Sequence, residues 1–158
     1  MPISGTGKQK GIKEYITKHL ENFEITHTQK AGDATRLSKD AANEKIDIVI
    51  AVGGDGTVNE CLKGLVNTNT ALGVIPCGSG NGFAYHIGMD RNIEKAVQQL
   101  KDTSIEEIDS CTANGVPFVN VSGIGFDAHI ANLFCTLRQR GLVNYVKIIL
   151  RELSYNAK

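Results

Sequence analysis

The sequence of 158 residues has no stretch approaching about eighteen uninterrupted apolar residues, and its first residues are polar and glycine-rich rather than basic and then apolar. Neither a spanning helix nor a secretory leader is expected. Net charge is also lacking: Lys plus Arg and Asp plus Glu number 17 each. No whole-molecule field draws the chain onto nucleic acid or an anionic bilayer, and no nucleic-acid partner is expected. The cysteines Cys61, Cys77, Cys111 and Cys135 form no Cys-x-x-Cys pair and show no metal-like spacing to a histidine, so a reduced cytoplasm is the natural setting. His19, His27, His86 and His129 form no His-x-x-x-His pair. Internal repeats and low-complexity runs are absent as well.

Three familiar motifs are approached and missed. Ser4-Gly5-Thr6-Gly7-Lys8 invites a P-loop reading, but Pro2 stands where its first glycine belongs and Gln9 where Ser or Thr must follow the lysine. A glycine-rich phosphate edge and a simple turn both remain open there. Gly78-Ser79-Gly80 lacks the flanking residues of a nucleophile elbow, and Gly123-Ile124-Gly125-Phe126 lacks the third glycine of a dinucleotide fingerprint.

What is present is enough apolar residue, 41%, to bury one sizeable core. Residues 8–22 read as an amphipathic helix, Phe23 to Thr28 as a strand, and Asp33 to Asn43 as a helix. Ile46 to Val52 is a nearly continuous β-branched run, the pattern of a strand buried on both faces of a parallel sheet. A helix over Thr57 to Val66, a strand over Ala71 to Ile75, a helical turn over Phe83 to Ile87 and a helix over Asn92 to Leu100 follow. This alternation predicts a Rossmann-like, doubly wound and mostly parallel α/β sheet whose ligands gather at the carboxyl ends of the strands. After residue 104 the texture changes. Ile105 to Ala113 and Val116 to Ile124 read as antiparallel strands joined at Asn114-Gly115, a turn whose residues tolerate positive φ. Asp127 to Leu153 is helical, interrupted at Gly141. From His129 onward, Arg138, Arg140, Lys147, Arg151 and Lys158 face Glu152 alone, about +4 by ordinary pKa values.

Both glycine loops fall at strand ends. Gly53-Gly54-Asp55-Gly56-Thr57 aims backbone N–H groups and the positive end of a helix at one point, and it removes the Cβ atoms that would block close approach. A phosphate fits that point. An aspartate at its centre repels phosphate unless a divalent cation bridges them, which marks Asp55 as a Mg-linked residue; the alternative is a tight turn in which Asp55 merely caps the helix. Pro76-Cys77-Gly78-Ser79-Gly80-Asn81-Gly82 repeats the design, with the Ser79 hydroxyl and the glycine amides available to a second phosphate, or is a plain connection.

With these loops in view, the sequence resembles the diacylglycerol kinase catalytic domain family of lipid kinases, which includes sphingosine and ceramide kinases. The matching segments are Pro2-Ile3-Ser4-Gly5, Thr28 with Gly32-Asp33-Ala34, Ala51 to Glu60, Leu72 to Asn81, Ile108-Asp109 and Phe118 to Ala128. The resemblance implies a nucleotide-binding α/β domain over residues 1–104 that takes ATP and Mg, and a region, 105–158, that starts a β-sandwich domain. The implied reaction transfers the γ-phosphoryl group to a lipid hydroxyl. By position it implies that Ser4, Gly5, Thr28, Gly53, Gly54, Asp55, Gly56, Thr57, Val58, Asn59, Glu60, Gly78, Ser79, Gly80 and Asn81 line the nucleotide, and that Asp55 and Asp109 act in metal binding and catalysis.

Departures from the family pattern accompany the match. Met1 stands in place of an asparagine that normally follows a first strand, and family members continue well past Lys158 into a sandwich that supplies the general base, so the chain is expected to be truncated at both ends. Gly82 stands where diacylglycerol kinases often carry aspartate, and Tyr85 where arginine is frequent. The implied setting is the cytoplasm and, in action, the inner face of the membrane. Leu142, Val143, Val146, Ile149, Leu150 and Leu153, with Arg138, Arg140, Lys147 and Arg151, suit an anionic interface, a sandwich-facing helix or self-association. Other expectations are a truncated protein that binds nucleotide or a partner without catalysis, and an enzyme resembling NAD kinases, which share Gly-Gly-Asp-Gly-Thr.

Overall fold

The computed structural model describes residues 11–102, 104–136 and 142–156. Their elements, in chain order, are α1 (Ile12–His19), α2 (Asp33–Asn43), β1 (Ile48–Gly53), α3 (Asp55–Leu65), β2 (Ala71–Pro76), α4 (Gly82–His86), α5 (Ile93–Asp102), β3 (Cys111–Ala113), β4 (Val116–Phe118), α6 (Phe126–Thr136) and α7 (Leu142–Asn156). The chain divides into two compact units, Met1–Asn120 and Val121–Lys158.

In the first unit, β1 and β2 pair in parallel from Ile48↔Ala71 to Gly53↔Pro76, with α3 as the crossover. Successive side chains of a strand leave on opposite faces. Val49, Ala51, Leu72 and Val74 accordingly join Ala34 of α2 with Val58 and Cys61 of α3. Ile50, Val52 and Ile75 join Ile16 of α1 and Val97 of α5. Helices thus cover both faces of the strand pair, the layered α/β arrangement that the alternation predicts. Ile75 and Val97 are fully buried, and burial of side chains this size stabilises by about 1.5–3 kcal/mol each. Helices α2 and α3 pack closely at Gly64, where a Cβ would come within 2.5 Å of the Thr35 carbonyl oxygen. A glycine inside a helix costs about 1 kcal/mol in propensity, so close packing explains why it is there.

The expected strand over Phe23 to Thr28 does not form. Its residues join no ladder, Phe23 is 40% exposed, and only Ile25 reaches the core, on the face of α1 and α5. The long strands expected over Ile105 to Ala113 and Val116 to Ile124 shrink to β3 and β4, paired antiparallel through Ala113↔Val116. The turn itself is as expected, with positive φ at Asn114 and Gly115. In the flanking residues Val119 is buried, but Ile105, Ile108, Val121 and Ile124 are 57–93% exposed.

In the second unit, α6 and α7 pack on each other through an edge-to-face contact of Phe134 and Tyr145 at 5.4 Å. His129 Nε2 lies 3.0 Å from Glu152 Oε2. Hydrogen bonds from His129 and Arg151 hold the Glu152 carboxyl below the usual range. Gly141, where the sequence predicts the break, lies outside the described residues, as do Arg138 and Arg140. Val143, Val146, Leu150 and Leu153 are exposed on α7.

Candidate functional site

The parallel ladder of β1 and β2 carries both loops to the same end of the sheet. Beyond the last strand pair, the Cys77 N–H donates to the Gly53 carbonyl at 2.9 Å. Gly54 is extended (φ −100°, ψ −173°) and is the N-cap of α3, its carbonyl accepting the Val58 N–H at 3.1 Å. The helix therefore begins at Asp55, two residues before the Thr57 start that periodicity predicts. This places the N–H groups of Asp55, Gly56 and Thr57 in the first turn, where no intrahelical acceptor exists. A Cβ on Gly53 would run into the Thr57 side chain, which folds back over the strand end.

The second loop lies directly against the first. A Cβ on Gly78 would stand 2.5 Å from Gly54 Cα, and one on Gly54 would stand 3.1 Å from Gly78 Cα. Only two glycines allow this backbone-to-backbone approach. Asn81 holds the loop closed. In the left-handed conformation (φ 60°) and 5% exposed, it accepts the Gly78 N–H at 2.7 Å and donates to the Gly78 carbonyl at 2.9 Å and to the Tyr85 hydroxyl at 3.1 Å. The Arg91 guanidinium lies over the Tyr85 ring at 5.2 Å from its centroid. Asn81, expected to line a nucleotide, spends its carboxamide on the loop backbone, while Ser79 and Gly80 are exposed.

Asp55 stands where the two loops meet. It does not cap α3, whose cap is Gly54 without a side-chain bond. Its Oδ1 accepts the Phe83 N–H at 3.1 Å, in the first turn of α4, while Oδ2 lies 3.1 Å from where a Cβ on Gly80 would be. One carboxylate oxygen is thus anchored and the other is directed at the second loop.

The other expected residues divide. Val58 is 2% exposed in the core and contributes packing. Asn59 accepts the Val119 N–H at 3.0 Å, tying the end of β4 to α3, and its amide donates to the Asp55 carbonyl at 3.1 Å. Glu60 turns toward α2, accepting the Gly32 N–H at 3.0 Å. Thr28 is half-buried in the segment before α2, close in sequence to Asp33. The Asp33 carboxylate accepts the N–H groups of Gln29 and Lys30, which hold it below the usual range. Asp109 is exposed in the segment before β3. Ser4 and Gly5 lie outside the described residues. One group escaped the sequence reading, the Phe83 N–H, which carries no side-chain signal.

Among the described residues, no group of three or more His, Cys, Asp or Glu side chains gathers to hold a metal by itself. Mg²⁺ does not require one, since it commonly takes one or two carboxylates and completes its octahedron with water and phosphate oxygens. A single half-buried carboxylate with one oxygen anchored, beside the first turn of a helix, fits that donor set.

Comparison with known proteins points the same way. Residues 2–113 match the diacylglycerol kinase catalytic domain. A diacylglycerol kinase of Bacillus subtilis (strain 168) is 40% identical over 124 residues, covering 72% of this chain and 41% of that protein. One from Staphylococcus carnosus (strain TM300) is 37% identical over 100 residues, covering 62% and 33%. The crystal structure of a diacylglycerol kinase from Bacillus anthracis str. Sterne superposes with a TM-score of 0.64 at 33% identity, covering 75% of this chain and 46% of that one. The chain spans less than half the length of these relatives. With two glycine loops in backbone contact around one aspartate, it belongs to the diacylglycerol kinase catalytic domain family.

Proposed function

We propose that this chain contributes the nucleotide site of an ATP- and Mg-dependent lipid kinase that transfers the γ-phosphoryl group to a lipid hydroxyl. In this reading residues 1–104 form the nucleotide-binding catalytic domain and 105–158 lead into a second, β-rich domain. The observation that carries the proposal is the contact of Gly54 with Gly78, which sets the first turn of α3, the exposed Ser79 loop and Asp55 around one place. Phosphoryl transfer depends mainly on positioning and on neutralising charge, and this is what such a surface supplies. The N–H groups of Asp55, Gly56 and Thr57 would receive phosphate oxygens, and Ser79 would add a hydroxyl. Asp55 Oδ2 would hold Mg²⁺, which would offset the charge of the phosphates. Asp109 as a second metal-linked residue rests on resemblance.

The acceptor side of the reading places the protein at a membrane surface on the cytoplasmic side. No described helix is long and apolar enough to cross a membrane, and the described cysteines Cys61, Cys77 and Cys111 are not joined in disulfides. The exposed apolar residues of α7, with Lys147 and Arg151 on the same helix, suit an anionic interface or self-association.

Incubation of the chain with radiolabelled ATP, Mg²⁺ and vesicles bearing diacylglycerol, sphingosine or ceramide tests the reaction, with NAD as a comparison acceptor. Label is expected in lipid. Label in NAD instead, or nucleotide binding without any lipid product, would overturn the lipid-kinase reading.

A further inference from the structure

We infer that Asn59 is a positioning residue rather than a nucleotide contact: it fastens the hairpin of β3 and β4 to the Asp55 end of α3 and thereby couples nucleotide binding to the hairpin. The inference rests on the nucleotide reading above. Its ground is where the two ends of one half-buried side chain go. Asn59 Oδ1 accepts the Val119 N–H at 3.0 Å, across 60 positions of sequence, and Nδ2 donates to the Asp55 carbonyl at 3.1 Å. An N–H only donates and a carbonyl only accepts, so the two partners fix which end of the carboxamide is which. Both are main chain, and neither can swing away as an exposed side chain would.

The hairpin has little else to hold it. All of β3 is exposed. Among the described residues from 104 to 129, Val119 alone is buried, where it joins Ala34, Val58, Cys61 and Phe83 in the core. Its side chain and its N–H together set the end of β4 on α3. Openings of a hydrogen bond cost least where buried contacts are few, so the bond to Asn59 decides how firmly this end is held.

The other bond reaches the residue that begins α3. The N–H groups of Asp55, Gly56 and Thr57 lie in the turn that would receive phosphate. Ordering that turn restricts the Asp55 carbonyl, and through Nδ2 it restricts the carboxamide that holds Val119. Asn59 thus joins the loop site to the segment from which the chain passes on to residue 121.

Amide hydrogen exchange with and without Mg·ATP tests this on the chain itself and on Asn59→Ala and Asn59→Asp, with calorimetric titration for the ATP affinity of each. In the parent chain Mg·ATP is expected to slow exchange of the Val119 amide at least about fivefold. Asn59→Ala removes both bonds. Exchange at Val119 should quicken about tenfold and lose its response to Mg·ATP, while ATP affinity falls less than about fivefold. Asn59→Asp keeps an acceptor for the Val119 N–H and loses the donor to Asp55. It should leave exchange without nucleotide within about threefold of the parent and still abolish the response, a split that a merely structural role does not produce. It also serves if Asn59→Ala does not fold. A Val119 amide indifferent to Mg·ATP in the parent chain, a response that survives in either variant, equal quickening in both, or a larger loss of ATP affinity would overturn the inference while leaving the nucleotide site standing. Failure of the parent chain to bind ATP would instead remove the nucleotide reading, and the inference with it.

Discussion

The loop after β1 is shaped by its own backbone, whereas the loop after β2 is shaped by a side chain. Gly54 is extended and passes straight into α3 with no side-chain cap, and Thr57 closes over Gly53. The second loop turns back through a left-handed Asn81 whose amide bonds both the N–H and the carbonyl of Gly78. The difference teaches where each is vulnerable. The first depends on the absence of Cβ atoms along one line, and the second on one buried carboxamide with three hydrogen-bond partners.

Substitution at the shared contact should have the largest effect. Gly78→Ala sets a methyl against the main chain of Gly54, which cannot yield as a flexible side chain would. It is expected to reduce ATP affinity more than 100-fold and to lower stability by about 1–3 kcal/mol. Gly80→Ala, whose methyl meets only the Asp55 carboxylate oxygen at 3.1 Å, should lose less than a tenth as much affinity. Equal losses at Gly78 and Gly80 would break the distinction between backbone contact and open loop. Asn81→Ala comes next. It leaves the Gly78 N–H without its acceptor and strains a positive φ, so urea unfolding should show a loss of about 2–3 kcal/mol. A change below about 0.5 kcal/mol would show that the loop closes without its clamp.

The smallest effect lies away from the loops, at the entry to α2. The Gln29 and Lys30 N–H groups depress the Asp33 carboxyl below its unfolded value. Its contribution is therefore present at neutral pH and is lost as pH falls below the ordinary aspartate range through the lowered value. Thermal unfolding followed from neutral pH to about pH 3 should steepen there in the parent chain and less so in Asp33→Asn. Identical profiles would contradict the assignment.

These outcomes also bear on what the sequence made legible. The nearly continuous β-branched run from Ile46 to Val52 was readable as a parallel strand needing cover on both faces, and Ala71 to Ile75 as a short apolar strand, although β1 begins only at Ile48, which is itself exposed. The glycine spacing at 53, 54 and 56 likewise marked a close approach. Alternation at Phe23 to Thr28 gave a strand's face preference but not the neighbouring edge that a ladder requires, and in the fold only Ile25 is packed. The same limit shortened the strands around Asn114-Gly115, where local turn chemistry sets the hairpin and distant partners set its length. Within the site, Asp55 was identified by its charge among glycines. Glu60 was grouped with the loop because it follows it in sequence, yet one helical turn on it faces Gly32 rather than the loops. Asn81 was grouped with the second loop for its place in the sequence, and its bonding to Gly78 follows from a backbone conformation that composition does not reveal.

The central claim is that two loops in contact at Gly54 and Gly78 form a phosphate site in which Asp55 supplies the metal-linked oxygen. Equilibrium binding of ATP to the chain, measured with and without Mg²⁺ and repeated with Asp55→Asn, tests it most directly. Asparagine keeps an oxygen for the Phe83 N–H, so the variant should fold. Mg²⁺ is expected to strengthen ATP binding at least tenfold in the parent chain and less than twofold in the variant, the loss of one charge-assisted ligand. ATP binding that ignores Mg²⁺ in the parent chain, or an Mg²⁺ effect that survives in Asp55→Asn, would contradict it.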